Sequence, residues 1–74
     1  MRTVHINLPT VEDAHDFVIQ LSSLDGQFDV LAGRYVLDAR SLMGILSLGL
    51  SKPLELRIEQ DTPDTMDALK QFIV

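Results

Sequence analysis

The chain has 74 residues, enough for one small domain spanning 1–74; a domain of this size buries only about 60% of the surface its unfolded chain exposes. With no cysteine and only two histidines it has no disulfide framework, no thiolate metal site and no ligand spacing for a structural zinc, so neither metal nor cofactor is expected. A formal net charge of −5, with acidic residues spread along the chain, disfavours nucleic acid and anionic membrane, because both need clustered Lys and Arg.

Met1-Arg2-Thr3-Val4-His5 has no apolar core of the kind a signal peptide needs. The longest apolar run, Leu42 to Leu50, falls far short of the roughly 20 residues that span a bilayer. The expectation is an untargeted, cytoplasmic protein whose partners are other proteins.

Val4, Ile6 and Leu8 alternate with His5 and Asn7 as in a strand with one apolar face, and Pro9 ends it by removing a ladder donor. Thr10, with Asp13 three residues on, resembles a capping box. After it, Val11, Ala14, Val18 and Leu21, with Phe17 and Leu24 alongside, recur at helical spacing over Val11 to Ser23. Gln27 to Leu31 alternates again, Ala32-Gly33-Arg34 supplies a tight turn, and Tyr35 to Ala39 returns as a hairpin partner.

Ser41 then stands as an N-cap and Gly49 as a helix stop, bounding a short helix through Leu48. Leu54, Leu56 and Ile58 alternate with Glu55, Arg57 and Glu59 after Pro53. Thr62-Pro63 opens a last helix whose buried stripe is Met66, Leu69, Phe72 and Ile73. The order βαββαβα predicts an α+β domain with a four-stranded antiparallel sheet. Helices cover its apolar face, and His5, Asn7, Asp29, Asp38, Glu55, Arg57 and Glu59 lie on the other. Pattern alone leaves a ferredoxin-like split βαβ equally open.

The short helix has more large apolar residues than one buried face can take. Ile45 and Leu48 form an inward stripe, so Leu42, Met43 and Leu46 are either sandwiched or exposed as a partner surface. Paired carboxylates at Glu12 and Asp13, and at Asp61 and Asp64, sit where acidic residues ordinarily cap helices. His5 and His15 read as surface histidines, neither with a nucleophile beside it.

The segment Arg40-Ser41-Leu42-Met43-Gly44-Ile45-Leu46-Ser47-Leu48-Gly49-Leu50 resembles, without a gap, the regulatory-serine segment of HPr, the phosphocarrier of the bacterial sugar phosphotransferase system, in its Gram-positive form. The order of elements extends the likeness over nearly the whole chain. The resemblance implies an HPr-like open-faced β-sandwich with three helices on one face. It also implies that Ser41 is a kinase-modified serine, and that Leu42, Met43 and Leu46, with Arg40 beside them, contact Enzyme I, a sensor kinase or a transcriptional regulator.

In that family the phosphoryl group rides on a histidine in the loop entering the first helix, within a His-x-Arg-Pro pattern. There the imidazole, the cation and the helix start all favour the dianion. Anchored on Phe17-Val18, the histidine's place falls near Thr10 and the Arg-Pro positions fall on Glu12 and Asp13. The function this implies is a regulatory or adaptor protein, not an enzyme, that acts through the docking helix Ser41–Leu48 under control of Ser41. The alternatives are a phosphocarrier using the displaced His15 and a ferredoxin-like small-ligand module.

Overall fold

The computed structural model describes residues 1–74 and runs β1 (Arg2–Ile6), α1 (Val11–Ser22), β2 (Phe28–Ala32), β3 (Tyr35–Asp38), α2 (Leu42–Leu48), β4 (Leu54–Ile58) and α3 (Pro63–Leu69). The four strands form one sheet in the order β1-β4-β2-β3 with every neighbouring pair antiparallel. A ferredoxin-like sheet would hold β1 in its interior; here β1 is at one end, and the arrangement is the open-faced sandwich.

Successive strand residues point to opposite faces, so each strand's apolar alternation becomes one buried face. Ile6, Phe28, Val30, Leu54, Leu56 and Ile58 are buried there against Ala14, Phe17 and Leu21 of α1, Ile45 of α2 and Leu69 of α3. Between β2 and β3 the turn is Gly33-Arg34, with Gly33 at φ 62° and no positive φ at Arg34. This is the signature of a type II′ hairpin, which matches the twist of the flanking strands. No helix is long and apolar enough to cross a membrane.

On the open face the register sets the ion pairs. Arg57 lies directly across from Asp29, and its Nη2 donates to Asp29 Oδ2 at 2.9 Å; Gln27 Nε2 donates to the other carboxylate oxygen at 2.9 Å. His5 lies across from Glu55 with Nε2 and Oε2 3.8 Å apart. Asp29 also faces Asp38 across the hairpin, a like-charge pairing relieved because Asp38 Oδ1 accepts the Arg40 N–H at 2.9 Å.

Two expectations are corrected. The stripe assigned to the last helix splits, because α3 ends at Leu69 and the chain turns back to the outer edge of β1. There Asn7 N–H donates to Phe72 O at 2.8 Å and Val74 N–H to His5 O at 3.0 Å, which satisfies backbone groups that an open edge would leave unpaired. Phe72 is buried edge-on against Phe17, with ring centroids 5.3 Å apart and planes at 83°. Val11, placed by spacing on the buried stripe of α1, is instead 58% exposed. The inward face centres on Ala14, Phe17 and Leu21, and Val11 stands to one side of it.

The Gln27 and Arg57 hydrogen bonds hold the Asp29 carboxyl below its ordinary pKa of 3.8, outweighing the upward push of partial burial. A carboxylate with a depressed folded pKa stabilises the fold above its unfolded value, and that stabilisation is lost as pH falls through the lowered one. Urea midpoints of parent and Asp29→Asn should therefore differ at pH 7 and converge below pH 3.8. A gap that stays constant with pH would contradict this assignment.

Candidate functional site

The segment between β3 and α2 is built by its polar side chains. Asp38 accepts the N–H of Arg40 at its side chain and that of Ser41 at its carbonyl, at 2.9 and 3.0 Å, which reverses the chain. Buried Ala39 ties the corner to the sheet by donating its N–H to Phe28 O at 2.9 Å.

Ser41 is the N-cap of α2, its Oγ accepting from Gly44 N–H at 3.3 Å, and it is exposed. A Cβ at position 44 would come within 3.2 Å of that oxygen and 3.5 Å of Leu37 Cδ1, so glycine keeps the cap uncrowded and lets α2 approach β3. Gly49 ends the helix at φ 85° and ψ 152°, a backbone region essentially reserved for glycine, and not in the left-handed helical well expected of a helix stop.

The three residues expected to form a partner patch divide. Met43 is 78% exposed, whereas Leu42 and Leu46 are half-buried and pack against the core. Ile45 is fully buried, and Leu48 joins it only in part. A seven-residue helix laid on a small core uses both flanks of its inward side, leaving only Met43 and Ser47 clear.

Arg40 is the larger correction. Its guanidinium turns away from Ser41 and back to the end of α1. Nε donates to Leu21 O at 3.2 Å, Nη2 to Leu24 O at 2.7 Å and Nη1 to Gly26 O at 3.1 Å, and the guanidinium carbon lies 5.1 Å from the centre of the Phe28 ring. α1 has no basic residue in its own last turn, and the last carbonyls of a helix need outside donors. Arg40 donates to one of these, Leu21 O, and to the loop carbonyls of Leu24 and Gly26, and these bonds hold its guanidinium away from Ser41.

The start of α1 is closed by Thr10, whose Oγ1 accepts from Asp13 N–H at 3.1 Å and donates to Asp13 Oδ2 at 2.8 Å. Glu12 and Asp13 occupy the first turn, and His15 is exposed one turn further on. No cationic side chain forms an ion pair with any of these acids, since the chain's two pairs are His5–Glu55 and Arg57–Asp29. Nowhere do three His, Asp or Glu side chains gather as metal ligands would.

Sequence reasoning missed part of the exposed apolar surface. Val11 and Ile19 are 58% and 52% exposed and, with His15 between them, make a row at four-residue spacing along α1. α1 packs against α2, and the reach of Arg40 sets the start of α2 beside the end of α1, so the row and Met43 belong to the same helix pair. The signal was present in the sequence, because α1 has more large apolar residues than the inward face of one helix accepts.

No protein-family model matches the chain, and none of the curated proteins does. Among solved structures, HPr-C-His from Thermoanaerobacter tengcongensis is similar to it at 29% identity and a TM-score of 0.75, over 96% of this chain and 89% of that one. The fold is HPr-like, with four antiparallel strands and three helices in an open-faced sandwich.

Arg40→Ala should lower stability by about 2–3 kcal/mol, because partly buried carbonyls lose charged donors. Arg40→Lys should recover less than half of this, since an ammonium lacks the planar fork that spans the carbonyls. Urea denaturation of both variants measures it, and an unchanged midpoint for Arg40→Ala would remove the structural role.

Proposed function

We propose that this chain is a regulatory or adaptor protein related to the sugar phosphotransferase system, which works by binding other proteins through its helix layer and neither carries a phosphoryl group nor acts as an enzyme. The HPr-like fold supports the link to that system. The observation that carries the rest is the first turn of α1, where a threonine cap and two carboxylates stand and where neither an imidazole nor a cation is placed to receive a dianion.

Electrostatics argues in the same direction. Two unit charges of like sign about 6 Å apart repel by about 0.7 kcal/mol even at the dielectric of water, and by more at a protein surface. Glu12, three residues before His15, is its neighbour on the surface of α1, and Asp13 and Asp16 add to the negative charge of the same turn, so a phosphoryl group there would be opposed. Enzyme I, an HPr-type kinase and a transcriptional regulator are the partner classes to test.

Ser41 is the control point in this reading. Its hydroxyl is exposed at the start of α2, where a phosphate meets free N–H groups and the positive end of a short helix. With Arg40 occupied elsewhere the fold gains little from the modification, and its effect falls on the neighbouring Met43 surface: an added dianion repels acidic partners and favours basic ones.

Incubated with Enzyme I and phosphoenolpyruvate, the protein should acquire no acid-labile, base-stable phosphate. Such a phosphate on His15 would overturn this proposal in favour of a phosphocarrier with a displaced histidine. The docking surface is tested with Met43→Asp, which should weaken binding to Enzyme I or an HPr-type kinase at least tenfold while leaving the urea midpoint unchanged; a buried position would instead lose several kcal/mol on receiving a charge. Ser41→Asp keeps a good cap, so its melting temperature should stay within a few degrees of the parent while its affinity for the kinase or regulator changes. Unchanged affinity for every one of these proteins would end the role of Ser41.

A further inference from the structure

We infer that the outward side of α1, made by Val11, Glu12, His15, Asp16 and Ile19, is a docking row for an amphipathic partner helix whose apolar stripe is flanked by Lys or Arg. The inference rests on the docking function proposed above and adds the chemistry of the partner.

Val11, His15 and Ile19 recur every fourth residue, so they form a straight ridge about 12 Å long on one side of α1, with large exposed apolar groups at its ends. A ridge of anchors one helical turn apart fits the spacing of side chains on another helix lying along it. Glu12 and Asp16 run beside the ridge. Glu12 is three residues before His15 and four before Asp16, and Asp16 is three before Ile19, so the two carboxylates flank the ridge from its middle to its Ile19 end.

These acids have no counter-charge in the chain. Neither α1 nor α2 contains Lys or Arg, neither Glu12 nor Asp16 enters an ion pair, and Arg40, the cation at the entry to α2, is held on the carbonyls of Leu21, Leu24 and Gly26. An acidic partner would be repelled along the whole ridge, as would nucleic acid or an anionic lipid surface. A second copy of this chain pairing ridge to ridge would set Glu12 and Asp16 against their own like charges. A basic amphipathic helix meets both features at once, covering the apolar ends and supplying the missing cations.

Two synthetic helical peptides of roughly 14 residues, identical in their leucine stripe but flanked by Lys in one and Glu in the other, test this by amide-shift titration of the labelled protein at low salt. The Lys-flanked peptide should shift the amides of Val11 to Ile19 and weaken as salt is raised. Its affinity should fall roughly three- to tenfold in the Glu12→Gln, Asp16→Asn double variant, and should hold in Asp64→Asn, Asp67→Asn, which removes equal charge from α3. Equal binding of the Glu-flanked peptide, or unchanged affinity in the α1 double variant, overturns the charge inference while leaving helix-layer docking intact. Shifts centred on α3 overturn it as non-specific attraction. If neither peptide moves α1, the docking reading fails along with the inference.

Discussion

Where α1 ends and the chain turns toward β2, three backbone carbonyls, Leu21 in the last turn of the helix and Leu24 and Gly26 in the loop after it, accept from Arg40, which reaches back 14 to 19 residues in sequence to meet them. One planar fork thereby joins the end of α1, the loop leading to β2 and the turn leading into α2, while its face lies over Phe28 in the core. Because Ser41 and Met43 follow Arg40 directly, this contact decides where the cap and the exposed methionine stand relative to α1. Guanidinium suits the task better than ammonium, being weakly hydrated and carrying donors in a fixed geometry.

The sheet answers to different constraints on its two faces. The buried face is held chiefly by apolar area, with no buried side-chain polar atom left unpartnered. The open face is ordered by register, since Arg57 and Asp29, and His5 and Glu55, are directly opposed across neighbouring strands. The β1 edge is not left as a free template for pairing, because the segment after α3 lies along it and Phe72 anchors that segment under Phe17.

This scaffold has an HPr-like fold, yet the start of α1 has the electrostatic character of an ordinary capped helix. Thr10 and Asp13 bond each other, and Glu12 adds a further negative charge at the positive end of the dipole, which stabilises the helix. The helix layer as a whole presents exposed apolar side chains and carboxylates.

Much of the molecule is determined locally and so can be read from sequence. Caps at Thr10, Ser41 and Thr62, the alternation of Leu54, Leu56 and Ile58, and the glycine turn at Gly33 each depend on residues a few positions apart, and the seven elements form in the predicted order, with only the last helix ending earlier than its apolar spacing implied. The threonine cap of α1, with Glu12 and Asp13 in its first turn, was likewise legible, because it depends on one helix start. What required the tertiary structure was every choice among equivalent local options. Spacing alone could not say which flank of α1 faces the core, so Val11 and Ile19 were recognised as exposed only once the helix lay on the sheet. Nor could it say that Phe72 and Ile73 leave the helix to pair with β1, since the open edge they satisfy exists only after the strands assemble. The destination of Arg40 is the clearest case: its partners are backbone carbonyls, which carry no side-chain signature, and folding alone brings them within reach.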